Sequence, residues 1–378
     1  MDPAIKYNGI AGLPILFRCG TEVKAPVWRS AVTDRGWQGA RARWNLSSRL
    51  VMLGLMDHDL TTLEEIRTAR AALPEVVRRT PILPLAPEVS DTGHEVLHLK
   101  AENLQVTGAY KVRSAFNVLN SLSDAERRQG VVMASSGNFA QAFAFAGATL
   151  GVSIVVVMLD QTSPYKIAAT RDLGAEVVFC GNDALNRQPK VEEVSRDRSM
   201  TGIDTWEYRP VIAGHASIGL EIVEDLQGVQ QVLVPVSSGG LAAGVASAVK
   251  LRAPNVQVVG VQPENANAYY LSRQAGKPVT LSKWDSIADG LSARYPGTFP
   301  FHHLQAYMDD VVLVSEKEIA QATRSVLFRG KLLVEPAGAV AAAGYLSAKV
   351  DRSLITVAVA TGGNLTEDTL NRLLEMSA

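Results

Sequence analysis

Cysteine, unbalanced charge and long apolar runs are all scarce in this sequence, and each absence excludes a class of protein. Two cysteines, Cys19 and Cys180, are too few for a disulfide framework and fit a reducing compartment, so we expect a cytoplasmic protein. The 37 lysines and arginines nearly cancel the 38 aspartates and glutamates, which gives no electrostatic reason to expect a nucleic-acid partner. The longest apolar runs, such as residues 152–159, fall far short of the about 20 residues that cross a membrane. The class of function that these absences leave open is chemistry on small molecules.

The first 57 residues show no regular pattern. They hold three of the five tryptophans, Trp28, Trp37 and Trp44, and are rich in arginine, but no helical or strand period persists. An arginine-rich, acid-poor start is found in transit peptides, yet the amphipathic pattern of such peptides is missing. We therefore interpret residues 1–57 as an N-terminal extension of unassigned role.

Alternating helix and strand patterns begin near Thr62. Residues 62–65 read as a capping box, and the helical stretch that follows, residues 66–73, is ended by Pro74. Farther along, Ala-rich helical stretches alternate with continuous apolar runs of strand length. These runs are residues 131–134, 152–159, 176–179, 231–236, 256–261 and 354–360. Strands that are apolar throughout are buried on both faces, which predicts an α/β fold with mainly parallel sheets and helices on each side.

Lys111 stands in an unusual setting for a lysine. Tyr110 precedes it, Arg113 follows two positions later, and the surrounding residues are small. This context predicts a close-packed site, where loss of solvation lowers the pKa of an amine and makes it available as a nucleophile or base.

A loop of small residues at positions 236–244 connects a strand pattern to a helix pattern. Its sequence is Val-Ser-Ser-Gly-Gly-Leu-Ala-Ala-Gly. Glycines let backbone amides approach an anion closely, and the helix N-terminus adds positive potential, so the loop suits a phosphate. A plain tight turn explains the same residues equally well, because neither the Walker pattern nor the dinucleotide pattern is present.

Two further turns carry polar side chains at the ends of strand patterns. Residues 135–141 offer hydroxyls and amides that could bind a carboxylate, although Ser and Asn also serve as ordinary N-caps. Residues 361–364 offer a hydroxyl that could reach a ring nitrogen, although a bare turn is equally plausible. In α/β sheets ligands bind where strands lead into helices, so these turns are expected to form the site.

Taken together, Lys111 and these turns resemble the fold type II pyridoxal-phosphate enzymes, most closely the branch of threonine and serine dehydratases and serine racemases. The resemblance covers residues 62–378. Its motifs, in chain order, are Arg79-Thr80-Pro81, Lys100 to Gln105, Tyr110 to Arg113, Ser135 to Gln141, Val211 to Gly214, Ser237 to Leu241, Ile287 to Gly290, Glu335 to Gly338 and Thr361 to Asn364. Each motif alone is weakly specific, but their joint occurrence in this order is strongly specific.

The resemblance implies two open, twisted, mainly parallel sheets flanked by helices. A large domain would comprise residues 58–129 and 208–378, and a small domain would comprise residues 130–207. It also implies an amino-acid substrate, no membrane partner and a homodimer.

The resemblance further implies a cofactor, pyridoxal 5'-phosphate, and residues that hold it. Lys111 would form a Schiff base with the cofactor and act as the base on the substrate α-carbon, with Tyr110 beside it. Asn138 would hydrogen-bond the 3-hydroxyl of the cofactor, and Thr361 would meet its pyridine nitrogen. The phosphate would be cradled by Ser237, Ser238, Gly239, Gly240 and Leu241.

The substrate carboxylate would be held by the loop of Ser135, Ser136, Gly137, Asn138 and Phe139. Ser136 joins Lys111 as a candidate catalytic residue, because in the racemase branch the matching serine protonates the opposite face of the α-carbon. A role in carboxylate binding or helix capping is the favoured alternative.

Several positions depart from the family pattern. The phosphate loop has two serines where four glycines are usual, and His215 stands where glutamine is usual, in a position typical of a hydrogen-bonded structural histidine. Phe139 stands where histidine is common. If its ring faces the substrate, an aromatic substrate such as phenylserine becomes credible; if it faces the helix core, it carries no information. Trp206 either lines the same pocket or packs between domains.

Gln262 and Ala268 stand where related enzymes carry acidic metal ligands. An amide and a methyl group are poor partners for Mg²⁺ or Ca²⁺, so we expect no metal at this position.

The reaction implied by the resemblance is loss of water from a β-hydroxy-α-amino acid, which yields a 2-oxo acid and ammonia. A neutral hydroxyl at the pyridine nitrogen, from Thr361, favours expulsion of a β-leaving group over a long-lived carbanion. Two alternatives stay open: an amino-acid racemase of the serine racemase type, and a non-catalytic relative that binds the cofactor or an amino acid.

Overall fold

The structure, a computed structural model, describes residues 60–85 and 96–376, so the proposed N-terminal extension and Cys19 lie outside the described residues. Helix α1, Leu63–Ala71, begins where the capping box predicts it. The hydroxyl of Thr62 accepts a hydrogen bond from the backbone N–H of Glu65, and the Glu65 carboxylate accepts one from the N–H of Thr62. The helix therefore starts directly after its cap and ends before Leu73, earlier than the sequence pattern predicts.

Ten strands form two sheets in the described residues. The strands are β1 (Ile82–Leu85), β2 (Leu97–Lys100), β3 (Val131–Ala134), β4 (Ile154–Met158), β5 (Glu176–Phe179), β6 (Thr201–Ile203), β7 (Gln231–Pro235), β8 (Gln257–Pro263), β9 (Asp310–Val314) and β10 (Thr356–Val359). One sheet has six strands in the order β1-β2-β10-β7-β8-β9, and the other has four in the order β5-β4-β3-β6. Only the β1–β2 pair among them is antiparallel. The prediction of an α/β fold with two mainly parallel sheets is confirmed.

Helices cover both sheets. The helices after α1 are α2 (Lys111–Ser121), α3 (Asp124–Gln129), α4 (Asn138–Leu150), α5 (Pro164–Asp172), α6 (Arg187–Arg198), α7 (Arg209–Asp225), α8 (Gly240–Arg252), α9 (Ala268–Ala275), α10 (Thr298–Tyr307), α11 (Glu316–Phe328), α12 (Pro336–Leu346) and α13 (Glu367–Glu375). Every residue of β4 and of β7 is buried, as expected for strands covered on both faces. None of the helices described is long and apolar enough to cross a membrane.

Each apolar run singled out in the sequence contains a strand, with ends shifted by up to two residues. Four strands were not anticipated: β1, β2, β6 and β9. Strand β1 contains a proline, β2 alternates apolar and polar residues in its Leu-His-Leu-Lys sequence, and β6 has only three residues, so no continuous apolar run marks these three. Strand β9 does contain a run of four apolar residues, 311–314, which is as long as the run at 131–134. The four-stranded sheet lies within residues 131–203, and we keep residues 130–207 as the proposed small domain.

Candidate active site

Lys111 is the first residue of helix α2, and the segment before it is fixed by the turn that follows β10. The backbone N–H of Tyr110 donates to the carbonyl of Thr361 at 3.1 Å, and Ala109 forms an isolated bridge with Gly362. Gly108 has a φ of +72°, and a Cβ there would collide with the side-chain oxygen of Asn364. The segment 108–110 and the turn 361–364, which are about 250 residues apart in the sequence, are therefore held in contact directly before Lys111.

The amine of Lys111 lies between two aromatic rings. Its Nζ is 4.7 Å from the ring centroid of Tyr110 and 4.7 Å from that of Phe139. Although the side chain keeps some exposed surface, the amine is enclosed by protein atoms, and this desolvation lowers its pKa to about 8, against the opposing charge of Glu335. No hydrogen bond or salt bridge to the amine is found in the part of the chain described. The lowered pKa expected from the sequence is therefore present, and its cause is burial without a partner.

His215, on α7, packs against the same rings. Its ring centroid is 4.8 Å from that of Tyr110 and 6.0 Å from that of Phe139. The hydroxyl of Ser114 donates to the carbonyl of Val211, so His215 Nδ1, 2.6 Å from that hydroxyl, must carry the proton and donate to it. Burial and the charge of Lys111 hold the pKa of His215 well below its ordinary value. The histidine is thus a neutral, hydrogen-bonded wall of the site.

The first turn of α4 presents backbone N–H groups that no side chain caps. Helix α4 has Gly137 at its N-cap and no side chain bonded to its first turn. The alternative that Ser135, Ser136 or Asn138 serves as an ordinary cap is therefore not realised. Uncapped N–H groups at a helix N-terminus suit a carboxylate, which is the ligand expected for this loop.

Asn138 is held between two side chains to which the sequence pattern assigns no role. Its amide donates to Glu335 Oε1 at 2.7 Å, and its carbonyl oxygen accepts a hydrogen bond from Asn364 at 2.8 Å. These contacts fix which way the amide points and leave one of its N–H bonds free. Asn138 is therefore oriented as a hydrogen-bond donor toward the site.

Glu335 is a buried acid that the sequence pattern marks only as part of a motif. Burial, with the charge of Asp289 adding to it, raises the pKa of Glu335 to about 7, against the hydrogen bond from Asn138 and the charges of Lys166 and Lys111. A Cβ on Gly362 would collide with the Glu335 carboxylate, so only glycine fits there. Because Glu335 directly precedes Pro336 at the start of α12, its sequence context looked like that of a helix start.

The phosphate loop follows β7 and opens helix α8, as the pattern predicts. Gly239 is the N-cap with a φ of +105°, which favours glycine, and no side chain caps the helix. The Ser237 hydroxyl accepts the N–H of Ala293 at 3.3 Å, and the Ser238 carbonyl accepts the N–H of Gly297 at 2.9 Å. Both added serines thus make contacts that tie the loop to the segment before α10, and the amides of the helix N-terminus stay free of side-chain acceptors.

The phosphate loop lies beside the lysine. A Cβ built on Gly240 would be 3.9 Å from the His215 ring, which itself packs against Tyr110. Thr361, two residues after the end of β10, is buried, and its hydroxyl makes a single long contact with the carbonyl of Ala337 at 3.5 Å. The structure therefore brings Lys111, the carboxylate loop, the phosphate loop and Thr361 to one place.

We call Lys111, His215 and Glu335 the lysine cleft. Behind it lies a second group of charged side chains, the charge cluster, made of Lys100, Glu102, Arg113 and Glu221.

The charge cluster is almost wholly buried and fully paired. Arg113 donates to both oxygens of Glu102, each at 2.8 Å, and to both oxygens of Glu221, at 2.7 and 2.8 Å. Lys100 Nζ donates to Glu221 at 2.6 Å and to the carbonyl of Thr80 at 2.6 Å. Burial alone would raise the pKa of Glu102, but the charge and hydrogen bonds of Arg113 hold it below its ordinary value. Because Arg113 lies two residues after Lys111, the cluster anchors the start of α2.

The two aromatic residues noted in the sequence have packed positions. Phe139 is only 7% exposed, and besides facing the Lys111 amine it packs on Phe143, with ring centroids 5.0 Å apart. Trp206 packs edge-on against Tyr295 at 5.0 Å, and the next residue, Glu207, accepts the N–H groups of Thr298 and Phe299 at the start of α10.

Gln262 and Ala268 are both fully buried. The Gln262 amide donates to the carbonyls of Val236 and Ala266, at 3.2 and 3.4 Å, and its oxygen accepts the N–H of Tyr270 at 2.8 Å. All the contacts of this side chain are thus with backbone, and one of them reaches the residue before the phosphate loop. The expectation of no metal at this position stays a prediction.

Comparisons with known proteins show the family that the chain resembles. The family model described as "Pyridoxal-phosphate dependent enzyme" matches residues 73–362. The catabolic L-threonine dehydratase TdcB of Escherichia coli strain K12 is 41% identical over 272 residues, covering 71% of this chain and 83% of its own. The processed form of threonine deaminase isoform 2 from Solanum lycopersicum superposes with a TM-score of 0.77 at 33% identity, covering 85% and 95% of the two chains. Maize serine racemase superposes with a TM-score of 0.77 at 28% identity, covering 83% and 97%.

Proposed function

Because the chain belongs to the pyridoxal-phosphate-dependent enzyme family, we propose that it is an ammonia-lyase for a β-hydroxy-α-amino acid such as threonine or serine. Threonine would give 2-oxobutyrate and ammonia, and serine would give pyruvate and ammonia. The observation that carries the proposal is the amine of Lys111, which is desolvated, has no hydrogen-bond or ion-pair partner among the described residues, and lies against Phe139 of the carboxylate loop.

Pyridoxal phosphate is the cofactor of this family, and the residues present fit it. The N-terminus of α8 has no side-chain cap, and the positive φ of Gly239 keeps its amides open to a phosphate. Asn138 has one N–H bond left for the 3-hydroxyl, and the buried hydroxyl of Thr361 has only one long contact. We assign the phosphate to Ser237, Ser238, Gly239, Gly240 and Leu241. When bound, the cofactor supplies the electrophilic carbonyl and the electron sink.

Lys111 would move the proton at the substrate α-carbon. At pH 7 an amine with a pKa of about 8 is neutral in about a tenth of molecules, whereas one near 10.5 is almost never neutral. Tyr110 and Phe139 keep water from the amine on two sides. Thr361 offers a neutral hydroxyl where a carboxylate would stabilise a positive ring nitrogen, so the site favours departure of the β-hydroxyl. Water is lost in that step and regained when the unsaturated product is hydrolysed to the 2-oxo acid.

Threonine and serine are preferred over an aromatic substrate for two reasons. Relatives that are 41% and 37% identical to this chain are named for threonine. The ring of Phe139, which motivated phenylserine, is nearly buried against Phe143 and His215 and leaves little of its surface for a substrate ring. Racemisation is the second candidate, favoured by Ser136 in the carboxylate loop and by the likeness to maize serine racemase. A homodimer and a cytoplasmic location stay predictions from the sequence.

The test is a panel of serine, threonine, 3-hydroxyaspartate and phenylserine isomers assayed for 2-oxo acid with the cofactor-loaded protein. We expect oxo acid from threonine or serine and none from phenylserine. A racemase would instead release the opposite enantiomer faster than oxo acid, and a β-replacement enzyme would need added thiol.

Lys111→Ala is the matched control. It removes both the covalent anchor and the base, so we expect loss of the bound-cofactor absorbance together with at least about a 10⁴-fold loss of turnover. A variant that kept both would overturn the assignment of Lys111.

A further inference from the structure

His215 has one ring nitrogen with a hydrogen-bond partner and one without. The side chain is fully buried, and its Nδ1 donates to the Ser114 hydroxyl at 2.6 Å, because that hydroxyl gives its own proton to the carbonyl of Val211. A neutral imidazole has a single N–H, so Nε2 carries a lone pair and can only accept a hydrogen bond. No donor to Nε2 is found among the residues described. Because a buried acceptor without a partner is unfavourable, this nitrogen indicates a donor from outside the chain.

The unpaired nitrogen lies at the side of the ring that faces the phosphate loop. A Cβ built on Gly240, the first residue of α8, would be 3.9 Å from His215 Cδ2, the ring carbon bonded to Nε2. Helices α7 and α8 approach closely here, since a Cβ on Gly244 would collide with the carbonyl of Ile212. Helix α8 begins at Gly239 without a side-chain cap. The lone pair of His215 and the uncapped N–H groups of α8 therefore lie next to each other.

The groups around the ring keep His215 neutral before a ligand binds. Burial, with the positive charges of Lys111 and Arg113, holds the pKa of His215 well below its ordinary value. Burial raises the pKa of Tyr110, whose ring packs on the imidazole, so the phenol is neutral as well. Phe139, on the other side, carries no charge. An anion beside the imidazole would oppose the two positive charges and favour a proton on Nε2.

A phosphate monoester is the ligand that the loop suits, and its charge state decides whether it can contact Nε2. The second pKa of such an ester is about 6, so at pH 8 in water it is almost wholly a dianion, whose oxygens only accept hydrogen bonds. A dianion and a lone pair form no hydrogen bond with each other. One proton is needed between them, either on a phosphate oxygen or on Nε2, and it must come from the solvent.

We propose that His215 is a binding residue for the phosphate of the cofactor, and that its Nε2 shares with a phosphate oxygen one proton taken from solvent on binding. One dianion, one neutral imidazole and one proton thus give one hydrogen bond. Glutamine, which is usual at this position in the family, has an N–H of its own and can donate to a dianion without gaining a proton. The proposal rests on the proposed function only in assigning the phosphate to the loop 237–241.

Calorimetric titration of the cofactor-free protein with pyridoxine 5'-phosphate, in buffers of different ionisation enthalpy, counts the protons taken up on binding. This probe has the phosphate of the cofactor but no carbonyl, so it forms no bond with Lys111. At pH 8 the parent should take up about one proton more than His215→Gln, since the probe and Lys111 titrate in both proteins. Relative to the variant, the Kd of the parent should rise by up to about 10-fold per pH unit between pH 7 and pH 9. Equal proton uptake in the two proteins would overturn the proposal.

Phosphorus-31 NMR of the cofactor-loaded protein between pH 6 and pH 9 locates the shared proton. The phosphate signal of His215→Gln should be that of a dianion above pH 7. A singly protonated phosphate in the parent over the same range places the proton on oxygen, and a dianion signal together with the extra proton uptake places it on Nε2. Either result supports the sharing.

Two variants guard these measurements. Ser114→Ala removes the acceptor of Nδ1, so the imidazole proton can move to Nε2 and donate to the dianion directly. The extra proton uptake should then be lost with little change in affinity, and full uptake in Ser114→Ala would overturn the proposal. His98→Gln makes the same exchange on β2, which lies two strands from β7 in the sheet, and should match the parent in both measurements.

Because the binding measurement needs no turnover, it separates this proposal from the proposed function. Proton-coupled binding of the phosphate without oxo acid from any substrate would leave His215 in its role and remove the ammonia-lyase. Turnover of threonine with equal proton uptake in parent and His215→Gln would do the reverse.

Discussion

The charge cluster and the lysine cleft lie at the same end of helix α2, yet their charges behave in opposite ways. In the charge cluster every ionised group contacts an opposite charge, and Glu102 keeps a pKa below its ordinary value although it is fully buried. In the lysine cleft burial is met by no ion pair, so the pKa of Lys111 falls to about 8 and that of Glu335 rises to about 7. Burial alone therefore does not set a charge state; the presence of a partner decides it.

Two helix starts at the candidate site lack the side-chain caps that several other helices have. Helices α1, α3 and α11 begin with complete capping boxes from Thr62, Ser123 and Ser315. Helices α4 and α8, which open at the candidate site, begin at Gly137 and Gly239 with no side-chain cap. The first-turn N–H groups of α4 and α8 are therefore left without a side-chain acceptor, which suits the binding of an anion at these two helix starts.

The largest effect should come from breaking the charge cluster. Arg113→Met leaves two buried glutamates without their main partner, and we expect the free energy of unfolding to fall by about 3–5 kcal/mol. Urea unfolding of the cofactor-free protein measures this. The surface variant Arg198→Gln, which breaks only the exposed pair with Glu176, serves as control and should shift the midpoint little, because exposed pairs contribute little. An Arg113→Met protein as stable as the parent would show that the cluster does not hold the start of α2.

Removing the lysine of the lysine cleft should raise the free energy of unfolding instead of lowering it. The pKa of Lys111 is about 8 in the folded chain and about 10.5 in the unfolded chain, so between these pH values only the unfolded chain binds the proton. The charged amine therefore destabilises the folded state, with full effect at and below pH 8. Lys111→Met should therefore stabilise the cofactor-free protein by about 2 kcal/mol at pH 7, after discounting for partial exposure. The gain should shrink as the pH rises toward 10.5. Urea unfolding at pH 7 and pH 10 checks this, and destabilisation at both pH values would contradict it.

The smallest effect concerns the acid of the cleft. Because the pKa of Glu335 is about 7 when folded and about 4.5 when unfolded, the folded chain binds the extra proton between these values, and stability falls as the pH rises through them. Between pH 5 and pH 7 the free energy of unfolding of Glu335→Gln should therefore fall by about 1–2 kcal/mol less than that of the parent. Thermal unfolding at several pH values measures the slope.

Glu102 serves as a control because its effect on stability has the opposite dependence on pH. Its folded pKa is lowered, so its contribution is present above its ordinary pKa of 4.5 and is lost as the pH falls through the folded value. Glu102→Gln should therefore destabilise the protein at pH 7 and leave the Glu335 slope in place. An unchanged slope in Glu335→Gln would mean that this acid is ionised in the fold.

The fold could be predicted largely from the sequence, because fully buried parallel strands leave a continuous apolar run. Strand β2 was not predicted because Lys100, at its end, looks like a surface residue. Its burial depends on partners elsewhere in the fold, Glu221 on a distant helix and the carbonyl of Thr80. The site turns could be predicted from their small residues and their positions after strands. The sequence assigns no role to Glu335, Asn364 or Arg187. An acid before a proline, an amide in a turn and an arginine on a polar helix are all common on protein surfaces.

The sequence by itself determined the strand, turn and helix units and placed Lys111 at the start of one helix. Only the tertiary structure decided which charges on that helix are kept. Lys111 and Arg113 are two residues apart, and nothing local distinguishes their ionisation. Arg113 meets Glu102 and Glu221 across the fold, whereas Lys111 meets two aromatic rings. The pKa of a side chain depends on the solvent and charges around it in space, and those neighbours come from segments far apart in the chain.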